Sequence, residues 1–328
     1  MKRTILAAAC LSLFVAGTAF AQAAADAAKP APPKTIVQLV RDALNAKDFE
    51  RAELLAVDDM AKTKNSPISL EAFSWLGRDL VARKRFEEAM TYASRTYGMV
   101  EEQLKTRKLD DEPRLPIALG AAIEVQALAT AGQGRRSEAV LFLRNELETF
   151  KATSLVERIN KNINVLSLEG TAALPINSTE WLGGPKVTLP ELKGRPVIVY
   201  LWAHWCPDCK KMGPILETVL NKYRSTGLTL VAPTKLYGYV AQRKPAQPAE
   251  ETAYIRTNRD EFYPWMSAYP TPVSEDVFAR YGVSTTPTLV LIARDGKVAT
   301  YHPGQMTVDQ LEALVQKIAG APATSSQH

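Results

Sequence analysis

Cysteine and histidine are both scarce in this chain of 328 residues, with three of each. One cysteine, Cys10, lies in an apolar run at the N-terminus, so only Cys206 and Cys209 remain beyond it. A structural zinc site wants four ligands, and two cysteines with scattered histidines give no such cluster. Charge of one sign is lacking too. The formal net charge is +5, and no basic run is interleaved with aromatic residues, so nucleic acid is not an expected partner. After the N-terminal run no segment reads as apolar enough to span a membrane. Phosphate-binding glycine loops, a nucleophilic-serine arrangement and a paired-carboxylate signature are missing. Neither a cofactor nor a metal is expected.

The chain opens with `MKRTILAAACLSLFVAGTAFAQ`. Lys2 and Arg3 precede an apolar core, and Ala19, Phe20 and Ala21 form a small-residue cleavage site. That is the pattern of a secretory signal peptide over residues 1–21. `LAAAC` is a weak lipoprotein box, but the apolar run continues past Cys10, which disfavours a lipid anchor. Cleavage removes two positive charges, and 5 − 2 leaves +3. The expected location is periplasmic or secreted, an oxidising compartment.

The rest reads as two domains: an all-α, helical-repeat-like N-terminal domain, then an α/β domain. Residues 22–35 are rich in Ala and Pro and read as a disordered linker. Residues 36–165 show apolar residues at helical spacing and no alternating runs. Three stretches, `KDFERAELLA`, `KRFEEAMTYA` and `RRSEAVLFLR`, align with Ala52, Ala89 and Ala139 in register. Phe73, Leu76, Gly77 and Leu80 precede the second copy. This resembles the tetratricopeptide (TPR) pattern, although the copies are not spaced by a steady 34 residues. Such a domain is expected to dock a protein partner. Residues 167–320 then alternate strand-like and helix-like segments: strands at 196–202 and 227–232, helices at 209–223, 249–263 and 275–282, a hairpin over 287–302 and a terminal helix at 307–319. Residues 321–328 are expected to be a disordered tail.

The chemistry centres on `LWAHWCPDCKKMGPIL`, residues 201–216. A strand leads into a CxxC that opens a helix. Cys206 stands at the helix N-terminus, where free N–H groups and the helix dipole favour a thiolate. Only the thiolate attacks a disulfide. Cys209 lies one turn on and faces inward, placed to resolve a mixed disulfide. Cys206 is therefore expected to be exposed and catalytic, Cys209 protected and catalytic, with a Cys206–Cys209 redox disulfide between them. Pro207 fits the first helical turn. Trp205 offers a flat surface to a polypeptide. A c-type haem site needs His after the second Cys, where Lys210 stands. A structural staple across two residues constrains the unfolded chain little. His204 is either a charged imidazolium that favours the thiolate or a solvated loop histidine. Asp208 places a negative charge beside Cys206 and tunes its potential downward. His302 is expected to be structural. Tyr237 and Tyr239 are either rim residues facing substrate or loop aromatics packed on the scaffold.

`LKGRPVIVYLWAHWCPDC`, with `GPIL` after it and `YGVSTTPTLVLIARDGKV` downstream, resembles the thioredoxin superfamily and, within it, the exported TlpA/ResA-like thiol–disulfide oxidoreductases. The resemblance spans about residues 167–320. It implies a thioredoxin fold and a cis-proline at Pro287, preceded by Thr286, facing the cysteines. It also implies that Trp205, Pro207, Thr286 and Pro287 contact substrate. The partners it implies are protein thiols and disulfides and a membrane-bound electron donor, in the direction of disulfide reduction or isomerisation; a disulfide-forming oxidase and an adaptor role are the alternatives. Two carboxylates typical of such proteins are absent. Tyr200 stands where thioredoxin has a buried Asp, and Met212 where ResA-like proteins have a Glu. The proton acceptor for Cys209 is then water, Glu217 or a group not apparent in the sequence.

Overall fold

The computed structural model describes residues 33–321. The expected signal peptide, most of the expected linker and nearly all of the expected C-terminal tail therefore lie outside the described residues. Seven helices come first: α1 (Ile36–Asn45), α2 (Phe49–Thr63), α3 (Pro67–Ala82), α4 (Phe86–Leu104), α5 (Leu115–Gly132), α6 (Arg136–Thr149) and α7 (Val156–Ser167).

Side-chain caps set the starts of the first three. Thr35 accepts from the Gln38 N–H, Asp48 from Arg51 and Ser66 from Ser69, each satisfying a donor that a helix start leaves free. The turns α1–α2, α3–α4 and α5–α6 each carry a residue in the left-handed region at the same register, Lys47, Lys84 and Gly134. The aligned alanines Ala52, Ala89 and Ala139 are fully buried. A Cβ on Gly77 would meet Val125 at 3.3 Å and the Ala89 carbonyl oxygen at 3.6 Å, so small residues set how closely these helices pack.

One expectation is corrected here. Helix α5 is long and apolar enough to cross a membrane, although the sequence reading finds no such segment after the N-terminus. It is apolar on all sides because α3, α4, α6 and α7 pack around it. Its carboxylate, Glu124, is ion-paired with Arg158 (3.1 Å) and Lys161 (2.8 Å) of α7.

The second half holds β1 (Glu180–Trp181), β2 (Val197–Leu201), α8 (Pro207–Lys222), β3 (Thr229–Val231), α9 (Pro248–Phe262), β4 (Pro272–Val273), α10 (Glu275–Tyr281), β5 (Thr288–Ile292), β6 (Val298–Pro303) and α11 (Val308–Ala319). A four-stranded sheet runs in the order β3-β2-β5-β6. β2 pairs parallel with β3 and antiparallel with β5, and β5 pairs antiparallel with β6. All five residues of β2 are buried, because both sheet faces are covered. Ile198 and Tyr200 pack with α8 and α11, while Val197, Val199 and Leu201 pack with α10. β1 and β4 form a separate two-stranded ladder, so a stretch read as irregular linker pairs with the loop region after α9.

The halves meet along α7. Asn164 Nδ2 donates to the Arg280 carbonyl at 3.2 Å, and Lys235 Nζ lies 3.1 Å from Glu157 and 2.7 Å from Glu275. Gly282, at φ 59°, ends α10, and a Cβ there would come within 2.3 Å of the Lys161 nitrogen.

Candidate redox site

β2 delivers the chain to the site, and Trp202 locks the delivery. Its indole N–H donates to the Ala232 carbonyl at 3.1 Å, and its own carbonyl accepts from the Thr234 hydroxyl at 2.9 Å. Cys206 is the N-cap of α8, with Pro207 in the first turn. The Cys209 N–H points at the Cys206 sulfur at 3.1 Å, and the Cys206 thiol donates to the Thr286 carbonyl at 3.3 Å. The Thr286–Pro287 peptide bond is cis. Cys206, separated by eighty residues from Thr286, is thus brought under its loop with Cys209 beside it.

Both cysteines are free thiols, and their environments push them apart. A hydrogen bond with the Cys209 thiol, acting against burial, holds Cys206 down to about 6. The Thr286 side chain and the N–H groups of Cys209 and Asp208 add to that. Burial, then the hydrogen bond with Cys206 and its charge, push Cys209 far up. An attacking thiolate and a protonated partner beside it are what a two-step exchange uses.

Exposure corrects one expectation. Cys206 is only 2 % exposed, because the Thr286 loop covers it. Trp205, next to it, is 45 % exposed. Asp208 turns its carboxylate to Lys211 Nζ at 3.2 Å on the surface, so its charge is partly neutralised and its N–H faces the sulfur.

His204 is neither a solvated loop residue nor a favoured imidazolium. It is buried, and its Nε2 lies 3.2 Å from Glu251 Oε1. Burial lowers its pKa despite Glu251. Tyr237, Tyr239 and Tyr254 meet its ring edge-on, with centroids 5.7, 5.6 and 5.4 Å away. His302 lies outside this cluster, beside the Gln305 carbonyl.

The positions lacking a carboxylate are filled differently. The Tyr200 hydroxyl donates to the Cys209 carbonyl at 2.8 Å. Met212 is buried, and its sulfur accepts from the Met306 N–H at 3.3 Å. Glu217 is exposed on α8, facing away from the buried Cys209. Glu251 is the residue the sequence reading missed. It stands in `AEETAYIR`, where nothing local separates it from Glu250, and only the fold turns it inward.

The pattern of a family described as a thioredoxin-like domain matches residues 189–319. The thiol–disulfide oxidoreductase ResA of Bacillus thuringiensis (strain Al Hakam) is 30 % identical over 137 residues, covering 42 % of this chain and 71 % of that protein. This chain belongs to the ResA-like thiol–disulfide oxidoreductases. Sporulation thiol–disulfide oxidoreductase A of Bacillus subtilis is similar at 26 % identity, over 41 % of this chain and 74 % of that protein. A solved structure, a putative thiol:disulfide interchange protein DsbE from Chlorobium tepidum, is 24 % identical with a TM-score of 0.36, over 46 % of this chain and 98 % of that one. The ResA-like match accounts for less than half of the chain. Helices α1 to α7 lie outside the thioredoxin-like segment.

Proposed function

We propose that this ResA-like enzyme is exported and reduces or isomerises disulfides in protein substrates through Cys206 and Cys209. The opposed thiols carry the reading: one held down to about 6, the other pushed far up, one helical turn apart. The Cys206 thiolate attacks a substrate disulfide, forming a mixed disulfide and releasing a substrate thiolate. That thiolate takes the Cys209 proton. Cys209 then attacks the Cys206 sulfur and expels the second substrate thiolate, which takes a proton from water. Two electrons pass to the substrate, and the enzyme is left with a Cys206–Cys209 disulfide. A membrane-bound dithiol donor returns it to the reduced form. Trp205, Pro207, Thr286 and Pro287 form the surface that receives the substrate chain.

The thiolate supports this direction. Stabilising the thiolate stabilises the reduced enzyme and raises the potential. Thioredoxin's thiol sits near 7 and that of a strong oxidant near 3.5. A value of about 6 lies nearer the reductant. The signal-peptide pattern of residues 1–21 supports a periplasmic or secreted location. The helical half, with its TPR-like repeat, docks a protein partner.

The test is Cys209→Ser in cells. The expected result is substrate proteins disulfide-linked to Cys206, released by dithiothreitol and absent from Cys206→Ser. An empty trap, together with no insulin reduction by the purified native chain, refutes the reading.

A further inference from the structure

Beside Cys206 stands a wall of aromatic rings that is held from behind. Trp205 meets Tyr237 edge-on at 5.5 Å, and Tyr239 lies 6.2 Å from Tyr237. Trp205 immediately precedes Cys206, so its contact with Tyr237 joins this ring to the redox site. Three donors behind the wall converge on one buried carboxylate. Glu251 Oε1 accepts from the Tyr237 N–H at 2.6 Å and meets His204 Nε2 at 3.2 Å, while Oε2 accepts from the Gly238 N–H at 2.7 Å. Glu251 thus ties the His204 ring and the backbone of the Tyr237 turn together.

The wall is also held from the helical half. Lys235 lies 5.6 Å from the Tyr237 ring centroid and reaches Glu157 of α7. A buried carboxylate with three donors is costly to desolvate and is retained only where those bonds are made. Here they serve a turn whose outward face is aromatic and partly exposed.

We propose, resting on the disulfide-exchange reading above, that Trp205 and Tyr237 form a subsite for an aromatic side chain next to the cysteine of a polypeptide substrate, and that Glu251 is its positioning residue. Ring–ring contact is directional, so the subsite rewards a fixed wall. A well-placed aromatic pair corresponds to about a 2- to 10-fold preference.

The experiment uses the full chain and two disulfide-linked peptide dimers, one with Phe and one with Ala beside the cysteine. Kinetic constants are measured for the native protein, Glu251→Gln, Tyr237→Ala and the double variant. The native protein is expected to prefer the Phe dimer by at least about twofold in kcat/KM, through KM rather than kcat. Gln presents one acceptor and one NH2 where three donors converge, so Glu251→Gln is expected to lose the preference. Tyr237→Ala is expected to lose it as well, and the double variant no more than Tyr237→Ala alone, since Glu251 acts through that ring. Tyr237 is partly exposed, so its variant gives a reading even where Glu251→Gln does not fold. No preference in the native protein overturns the subsite, and so does a preference that survives Tyr237→Ala. A preference that survives in a folded Glu251→Gln, or losses that multiply in the double variant, overturn the role of Glu251. Absence of any turnover of either dimer by the native protein refutes the exchange reading instead.

Discussion

Replacing Cys209 by alanine should raise the Cys206 pKa, because the largest contribution to its depression is the hydrogen bond with the Cys209 thiol. A hydrogen bond to a charged acceptor contributes about 1.5–3 kcal/mol, and a pKa unit corresponds to 1.36 kcal/mol. The alkylation midpoint should therefore move from about 6 to about 7–8 in Cys209→Ala. In Cys209→Ser, which keeps a donor, it should move less. The sign follows from the native value. With a midpoint of about 6, roughly nine-tenths of Cys206 is thiolate at pH 7, falling to half at the midpoint. Iodoacetamide alkylation of the reduced protein from pH 4 to 10, followed by mass spectrometry, measures this directly. Restricted access to the sulfur slows alkylation by the same factor at every pH, so the midpoint is still read from the shape of the profile. A native midpoint near 8 refutes the depressed thiol. An unchanged midpoint in Cys209→Ala transfers the cause to the N–H groups at the α8 terminus.

Tyr200→Phe leaves the Cys209 carbonyl without its 2.8 Å donor; a cost of about 1–3 kcal/mol is expected in denaturant melts, and an unchanged midpoint counts against that bond. Gly282→Ala puts a Cβ against the Lys161 backbone at a positive φ; thermal melting and limited proteolysis should show lower stability and cleavage near α7, and native-like behaviour would mean the contact is loose. Ala89→Leu, at a fully buried position facing Gly77, should cost about 1–3 kcal/mol by overpacking and lower the melting temperature with the peptide-dimer kcat retained. The lowered pKa of His204 means that its neutral form stabilises the fold. That contribution is complete above the unfolded value of about 6.5 and is lost as pH falls below it, so urea midpoints should drop between pH 7.5 and 5.5, and less steeply in His204→Phe.

The thiol pair and its scaffold were legible because their signals are local. `VIVYL` reads as a buried strand, Cys206 as a helix start, and Pro287 through the family resemblance. The aligned alanines were visible for the same reason, since helix packing writes a period into the chain. What escaped depends on contacts distant in sequence. Glu251 belongs to the site only because α9 turns it toward a loop near His204, 47 residues away. The burial of Cys206 comes from a carbonyl 80 residues downstream. β1 and β4 have two residues each, too short to carry a period. Helix α5 was read only as one member of its helical set, and the packing of α3, α4, α6 and α7 around it depends on contacts distant in sequence.

The shielded Cys206 has a consequence for oxidative damage. A thiolate is the form that peroxides oxidise, so a thiol held down to about 6 is vulnerable at neutral pH. Its 2 % exposure limits peroxide to a narrow line of approach. A sulfenic acid formed there lies beside the Cys209 thiol, which condenses with it, releases water and leaves a disulfide between the two. That is the same oxidised form that substrate turnover produces. The first rung of damage thus returns to the working cycle and needs no repair beyond the ordinary electron donor.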